Sequence, residues 1–102
     1  MKRLKNIHPG EILKEEFLDP LGISAYRLSK ETGLSQTRLG QIIKGNRGIS
    51  AETALKLGKF FGVEPEFWLN LQNLYDIEEA KRVYSKELKS IHSVKDLGLA
   101  SA

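Results

Sequence analysis

The run SQTRLGQIIKGN, from Ser35 to Asn46, carries side chains able to read nucleic-acid bases at helical spacing. An arginine such as Arg38 can donate in parallel to guanine O6 and N7, and a glutamine such as Gln41 can engage adenine N6 and N7 together. The Thr37 methyl can meet a thymine methyl, and its hydroxyl can bond a base or a phosphate. Gln36 stands in the first turn, where a side chain reaches past the helix end. Lys44, Asn46 and Arg47 follow at the helix end and in the next loop, suited to the phosphates that set register without reading sequence. At about 100° per residue, Leu39, Ile42 and Ile43 fall on one side of such a helix. Thr37, Gln41 and Lys44 fall on the other, with Arg38 and Gly40 on the shoulders. A mid-helix glycine costs about 1 kcal/mol relative to alanine. The expectation is that Gly40, lacking a side chain, lets the backbone lie close to DNA.

The elements that must position these residues share one device. An apolar residue precedes each helix start and another follows five positions later, the spacing of a hydrophobic staple. Ile7 and Ile12 flank His8-Pro9, Ile23 and Leu28 flank Ser24, and Leu34 and Leu39 flank Ser35. Ile49 and Ala54 flank Ser50, and Val63 and Trp68 flank Glu64-Pro65. Serine is a good cap because its hydroxyl accepts from free first-turn N–H groups. Gly33, Gly45 and Gly62 suit left-handed helix stops, and Pro20 is expected to close the first helix by pushing Asp19 out of the α region. The reading is all-α: five helices near 9–18, 24–32, 35–44, 50–61 and 65 to about 88, the last an extended C-terminal helix. Leu13, Phe17, Leu28, Leu39, Ile42, Ile43, Leu55, Leu57, Phe60, Phe61, Phe67, Trp68 and Leu71 are the expected core, with Trp68 read as structural.

With 102 residues the chain fits one small domain. Residues 1–72 read as the DNA-binding core and 73–102 as a helical extension with a frayed tail. The absence of cysteine excludes disulfides, thiol catalysis and zinc–thiolate sites. No segment is apolar enough to span a membrane, and MKRLKNIHPGEIL lacks the apolar run of a signal peptide. A cytoplasmic protein is the expectation. The net charge of +3 is unevenly spread. Between Glu31 and Glu52 there is no acid, while Arg38, Lys44 and Arg47 lie inside that window. Such a confined basic window is a local anion site. The acids from Glu64 to Glu79 and the bases Lys81, Arg82, Lys86 and Lys89 suit the dipole of one long helix.

Two short amphipathic helices joined by Gly33-Leu34 form a helix-turn-helix signature, whose second helix lies in the major groove. A plain bundle with a solvated polar face is the alternative. The acid-free window favours DNA, and the face lacks the large apolar anchors of a protein interface. Helix starts near Ser24 and Ser35 add N–H groups for phosphate, with Tyr26 and Arg27 beside the first.

The run SAYRLSKETGLSQTRLGQIIKGNRGISAETALKLGKFFGVEPEFWLNLQ resembles the lambda-repressor-like helix-turn-helix family. With the opening HPGEILKEEFL and the segment EFWLNLQNLYD, it is similar more narrowly to the HigA/VapI-type antitoxins, over residues 6 to 85. The resemblance implies a dimeric repressor that binds a palindromic operator in its own promoter and neutralises a HigB-like, mRNA-cleaving ribonuclease toxin. It also places the family's base-contacting positions on Gln36, Thr37, Arg38 and Gln41. One departure is Ala25, where many relatives of the wider fold carry a phosphate-contacting Gln. Ala25 cannot make that contact, and Tyr26, Arg27 or the Ser24 hydroxyl are the available substitutes.

Ile77, Ala80, Tyr84, Leu88 and Ile91 continue an apolar stripe past the globule. It reads either as a symmetric dimer seam or as packing on the chain's own first helix. No enzyme, cofactor or metal is expected, because His8 and His92 lack ligand spacing and Glu15 and Glu16 diverge on a helix. A stand-alone repressor without a toxin, and a toxin-binding module with secondary DNA binding, are the alternative functions.

Overall fold

The computed structural model describes residues 5–99, and among these there are six helices and no strand. Helix α1 starts as α-helix over Pro9–Ile12, widens to π-helix over Leu13–Leu18 and closes with an α turn over Asp19–Leu21. Pro20 therefore does not end the helix where expected. Asp19 keeps helical angles (φ −62°, ψ −49°), its N–H reaches the Lys14 carbonyl, and the stop comes at Gly22 with φ 65°. Proline normally clashes with the carbonyl four residues earlier; the wider π register accounts for its acceptance here.

The other starts follow the staple pattern. Ser24, Ser35 and Ser50 each accept a first-turn N–H, from Arg27, Arg38 and Thr53, at the heads of α2 (Ala25–Thr32), α3 (Gln36–Ile43) and α4 (Ala51–Phe61). Each hydroxyl satisfies a donor the helix itself leaves free. Helix α5 (Pro65–Val83) begins on a proline, which has no N–H to satisfy. The expected single long helix is interrupted at Tyr84 (φ −103°, ψ 19°) before α6 (Ser85–Lys89). No helix among the described residues is long and apolar enough to cross a membrane.

Leu13, Leu18, Leu28, Leu34, Leu39, Ile42, Ile49, Ala54, Leu57 and Trp68 form the core. Phe17, Phe61 and Phe67 surround the Trp68 ring with centroids 4.9, 6.3 and 5.1 Å away. Two expected core residues are corrected. Leu55 is 60% exposed and Phe67 36% exposed. Helix α4 buries Thr53, Ala54, Leu57 and Gly58, and Leu55 lies about 100° around from Ala54, off that face. The staple residues Leu34 and Ile49 are fully enclosed, so the short turns contribute core as well as helix entry.

His8 caps α1 through Nδ1, which accepts the Gly10 N–H at 2.9 Å, and its ring stands edge-on to Tyr75 of α5 at 4.8 Å. Burial pushes its imidazole below the ordinary histidine value against the opposing pull of Asp76 and Glu11. The neutral ring is the form that can accept at Nδ1.

Candidate nucleic-acid interface

Gly33, in the left-handed region at φ 78°, turns the chain between α2 and α3. The Thr32 hydroxyl donates to the Leu28 carbonyl at 2.6 Å and accepts the Leu34 N–H at 3.2 Å, bracing the turn. Leu34 fills the angle between the helices. Leu39 and Ile42 then fix the rotation of α3 by complete burial, which leaves Gln36, Thr37, Gln41 and Lys44 exposed on its outer side. Thr37, Gln41 and Lys44 share one polar strip, with Gln36 at its head in the first turn.

Arg38 sits on the shoulder and leans toward α4. Its Nη1 lies 3.1 Å from Glu52 Oε1, and Lys56 Nζ holds the other carboxylate oxygen at 2.7 Å. The bond from Lys56 and then that from Arg38 hold the Glu52 carboxyl below its usual range. The acid bounding the basic window in sequence thus reaches back into it in space. Its position in the first turn of α4 was the available signal.

Arg47 and Gln41 are brought together. Arg47 Nη1 donates to Gln41 Oε1 at 3.1 Å, so the loop after α3 folds back over the outer face. The Asn46 N–H closes the helix end on the Gln41 carbonyl at 2.8 Å, leaving the exposed Asn46 side chain beside Arg47 in sequence. At the head of α2, Arg27 Nε pairs with Glu31 Oε2 at 2.7 Å, and Lys30 Nζ stands 5.5 Å from the centroid of the Tyr26 ring. Ser24 and Ser35 each spend their hydroxyl on an N–H three residues ahead. The remaining first-turn N–H groups are the anion-facing ones. Sequence reasoning missed Gln72 of α5, whose side chain bonds the Ile49 N–H across 23 positions. The motif NLQ carries no local hint of that contact.

The helix-turn-helix family model matches residues 13–68, which span most of α1 through the first turn of α5. Virulence-associated protein I of Dichelobacter nodosus is 47% identical over 76 residues, covering 74% of this chain and 70% of that protein. The addiction module antidote protein of the HigA family from Coxiella burnetii superposes with a TM-score of 0.83 at 45% identity, covering 88% of this chain and 99% of that one. The chain belongs to the helix-turn-helix family and to its HigA-type antitoxins. This is a family of DNA-binding regulators, not of enzymes. The Pseudomonas aeruginosa antitoxin HigA, solved with the higBA promoter, matches this HigA-type chain with a TM-score of 0.85 at 36% identity, over 88% of this chain and 99% of that one. Both structural matches cover more of the chain than the 56 residues of the family model.

Proposed function

We propose that this protein is a sequence-specific operator-binding antitoxin that represses its own operon as a homodimer and neutralises a ribonuclease-type toxin by direct binding. The exposed strip on α3, with Arg47 folded over it, carries the DNA part of this reading. Its supporting comparison is the HigA of Pseudomonas aeruginosa solved with a promoter. Gln36, Thr37, Arg38 and Gln41 are assigned to bases. Ser24, Tyr26, Arg27, Ser35, Lys44, Asn46 and Arg47 are assigned to phosphates. Selection from a randomised duplex library should enrich a two-fold symmetric sequence with half-sites one helical turn apart. Failure to enrich any sequence rejects this DNA assignment. The toxin part rests on the antitoxin relatives, and co-purification with the product of the neighbouring reading frame tests it. A neighbour that forms no complex favours the stand-alone repressor.

Ile77, Tyr84, Leu88 and Ile91 are 51%, 50%, 51% and 68% exposed. With Ala80 they line an apolar groove on α5 and α6, bordered by Lys81 and Glu87. These exposures favour a face left open by α1. A second copy of the chain is the occupant assigned to it, because two recognition helices must be held at a fixed separation to meet successive grooves. Tyr84→Glu with Leu88→Glu is expected to give a monomer in sedimentation equilibrium and to weaken binding to the symmetric duplex roughly a hundredfold. A variant that remains dimeric places the seam elsewhere.

Beyond the adjoining residues and the backbone of its own helix, no atom of the described residues lies within 4 Å of where a Cβ on Gly40 would stand. Internal packing therefore gives no reason for glycine at this position. Gly40→Ala should stabilise the fold by about 0.5–1 kcal/mol, measured by denaturant melting. Gly40→Leu should fold and bind the selected duplex poorly; normal binding removes close approach as the reason for glycine.

A further inference from the structure

The loop between α3 and α4 carries Asn46 and Arg47, and the contact that reaches it from α5 is the Gln72 side chain. Its Oε1 accepts the Ile49 N–H at 2.7 Å, and its Nε2 donates to Asp76 Oδ1 at 2.9 Å, one turn further along α5. The amide has only one orientation consistent with both partners, since the backbone N–H needs an acceptor and the carboxylate needs a donor. Gly48 lies flat against this amide: a Cβ there would stand 3.1 Å from Gln72 Cδ and Nε2 and 3.2 Å from Oε1. Ile49, next along, is buried. On the far side of the loop, Arg47 grips Gln41 of α3. A connected path thus runs from Asp76 through Gln72 and the loop backbone to Arg47 and the outer face of α3.

We infer that Gln72 is a positioning residue for DNA recognition, setting the loop so that Arg47 meets both the phosphate and Gln41. This rests on the DNA reading above. A purely structural role for Gln72 would satisfy one backbone N–H and affect folding alone, so the test must separate the two.

The probe is the duplex selected by the wild-type protein, with binding measured across a salt series. Gln72→Ala should fold, bind roughly three- to tenfold more weakly and lose about one unit of salt slope, as for one phosphate contact. The same change made in an Arg47→Ala background should cost nothing further, because its effect passes through Arg47. Gln72→Glu keeps the acceptor for Ile49 but sets two carboxylates together. Adding Asp76→Asn supplies an amide donor in place of Asp76 and restores the wild-type net charge. The Gln72→Glu/Asp76→Asn pair should therefore recover binding, and it serves as the folded control should Gln72→Ala fail to fold. Wild-type affinity and slope in Gln72→Ala overturn the inference, as does an undiminished loss in the Arg47→Ala background or a failed recovery in the paired variant. Selection of no duplex by the wild-type protein is a different result: it removes the DNA reading, and this inference with it.

Discussion

Replacing Arg38 and Gln41 together by alanine is expected to weaken binding to the selected duplex by about a hundredfold or more, while the fold and the toxin complex persist. Each bidentate contact to a base is worth about 1–3 kcal/mol, and 1.4 kcal/mol is a factor of ten. Two opposing effects decide where in that range the result falls. Arg38 must weaken its bond to Glu52 to reach a base, but that pair is largely exposed on the Glu52 side and held at 3.1 Å. An exposed pair is worth about 0–1 kcal/mol, so the exchange favours the base. Gln41 accepts from Arg47 at 3.1 Å, and its Nε2 has no part in that bond. Removing Gln41 therefore also frees Arg47, and the double variant loses positioning along with readout. Gln41 is exposed and Arg38 half-buried beside α4, so losing the Glu52 pair should cost no more than about 1 kcal/mol of stability. Lys44→Ala provides the contrast, reducing affinity for all duplexes alike with a smaller salt slope. If the double variant binds DNA normally but no longer neutralises the toxin, the strip on α3 is the toxin surface.

What the sequence made legible was the part encoded locally. Helix entries at Ser24, Ser35 and Ser50 follow from a cap between two apolar residues five apart, and each hydroxyl is bonded as that pattern requires. The outward strip followed from rotation alone, once Leu39 and Ile42 were placed inside. The remaining features depend on partners far along the chain. Arg38 finds Glu52 across 14 positions and Ile49 finds Gln72 across 23, and no periodicity encodes either contact. Leu55 is apolar yet exposed because the rotation of α4 gives its inner face to Ala54 and Leu57. Pro20 does not stop its helix because the clash that proline makes in α geometry is relieved after a π-helical turn.

Gly10→Ala is expected to destabilise the protein by about 3 kcal/mol, lowering its melting midpoint by roughly 15 °C. Gly10 is buried in the first turn of α1, where that helix crosses the C-terminal end of α3 backbone to backbone. An added Cβ would overlap the Ile42 carbonyl oxygen, and it would stand 2.6 Å from the Ile42 carbonyl carbon and 3.0 Å from Ile43 Cα. These are backbone atoms of α3, so no side chain can rotate aside to make room. Retreat of α1 is also resisted, because His8 Nδ1 holds the Gly10 N–H and the His8 ring is fixed against Tyr75. Relief must come from moving α3, the helix that presents Gln41 and Arg38. The fraction of Gly10→Ala that remains folded should accordingly bind the duplex less well than its stability alone accounts for. Gly40→Ala, on α3 itself, supplies the opposite sign, since its Cβ meets no packed neighbour and chiefly the backbone entropy changes. An unchanged melting midpoint for Gly10→Ala would show that α1 and α3 do not touch at this position. Opposite shifts for the two variants would identify one glycine as required by internal packing. The other would then be left to what α3 meets outside the protein.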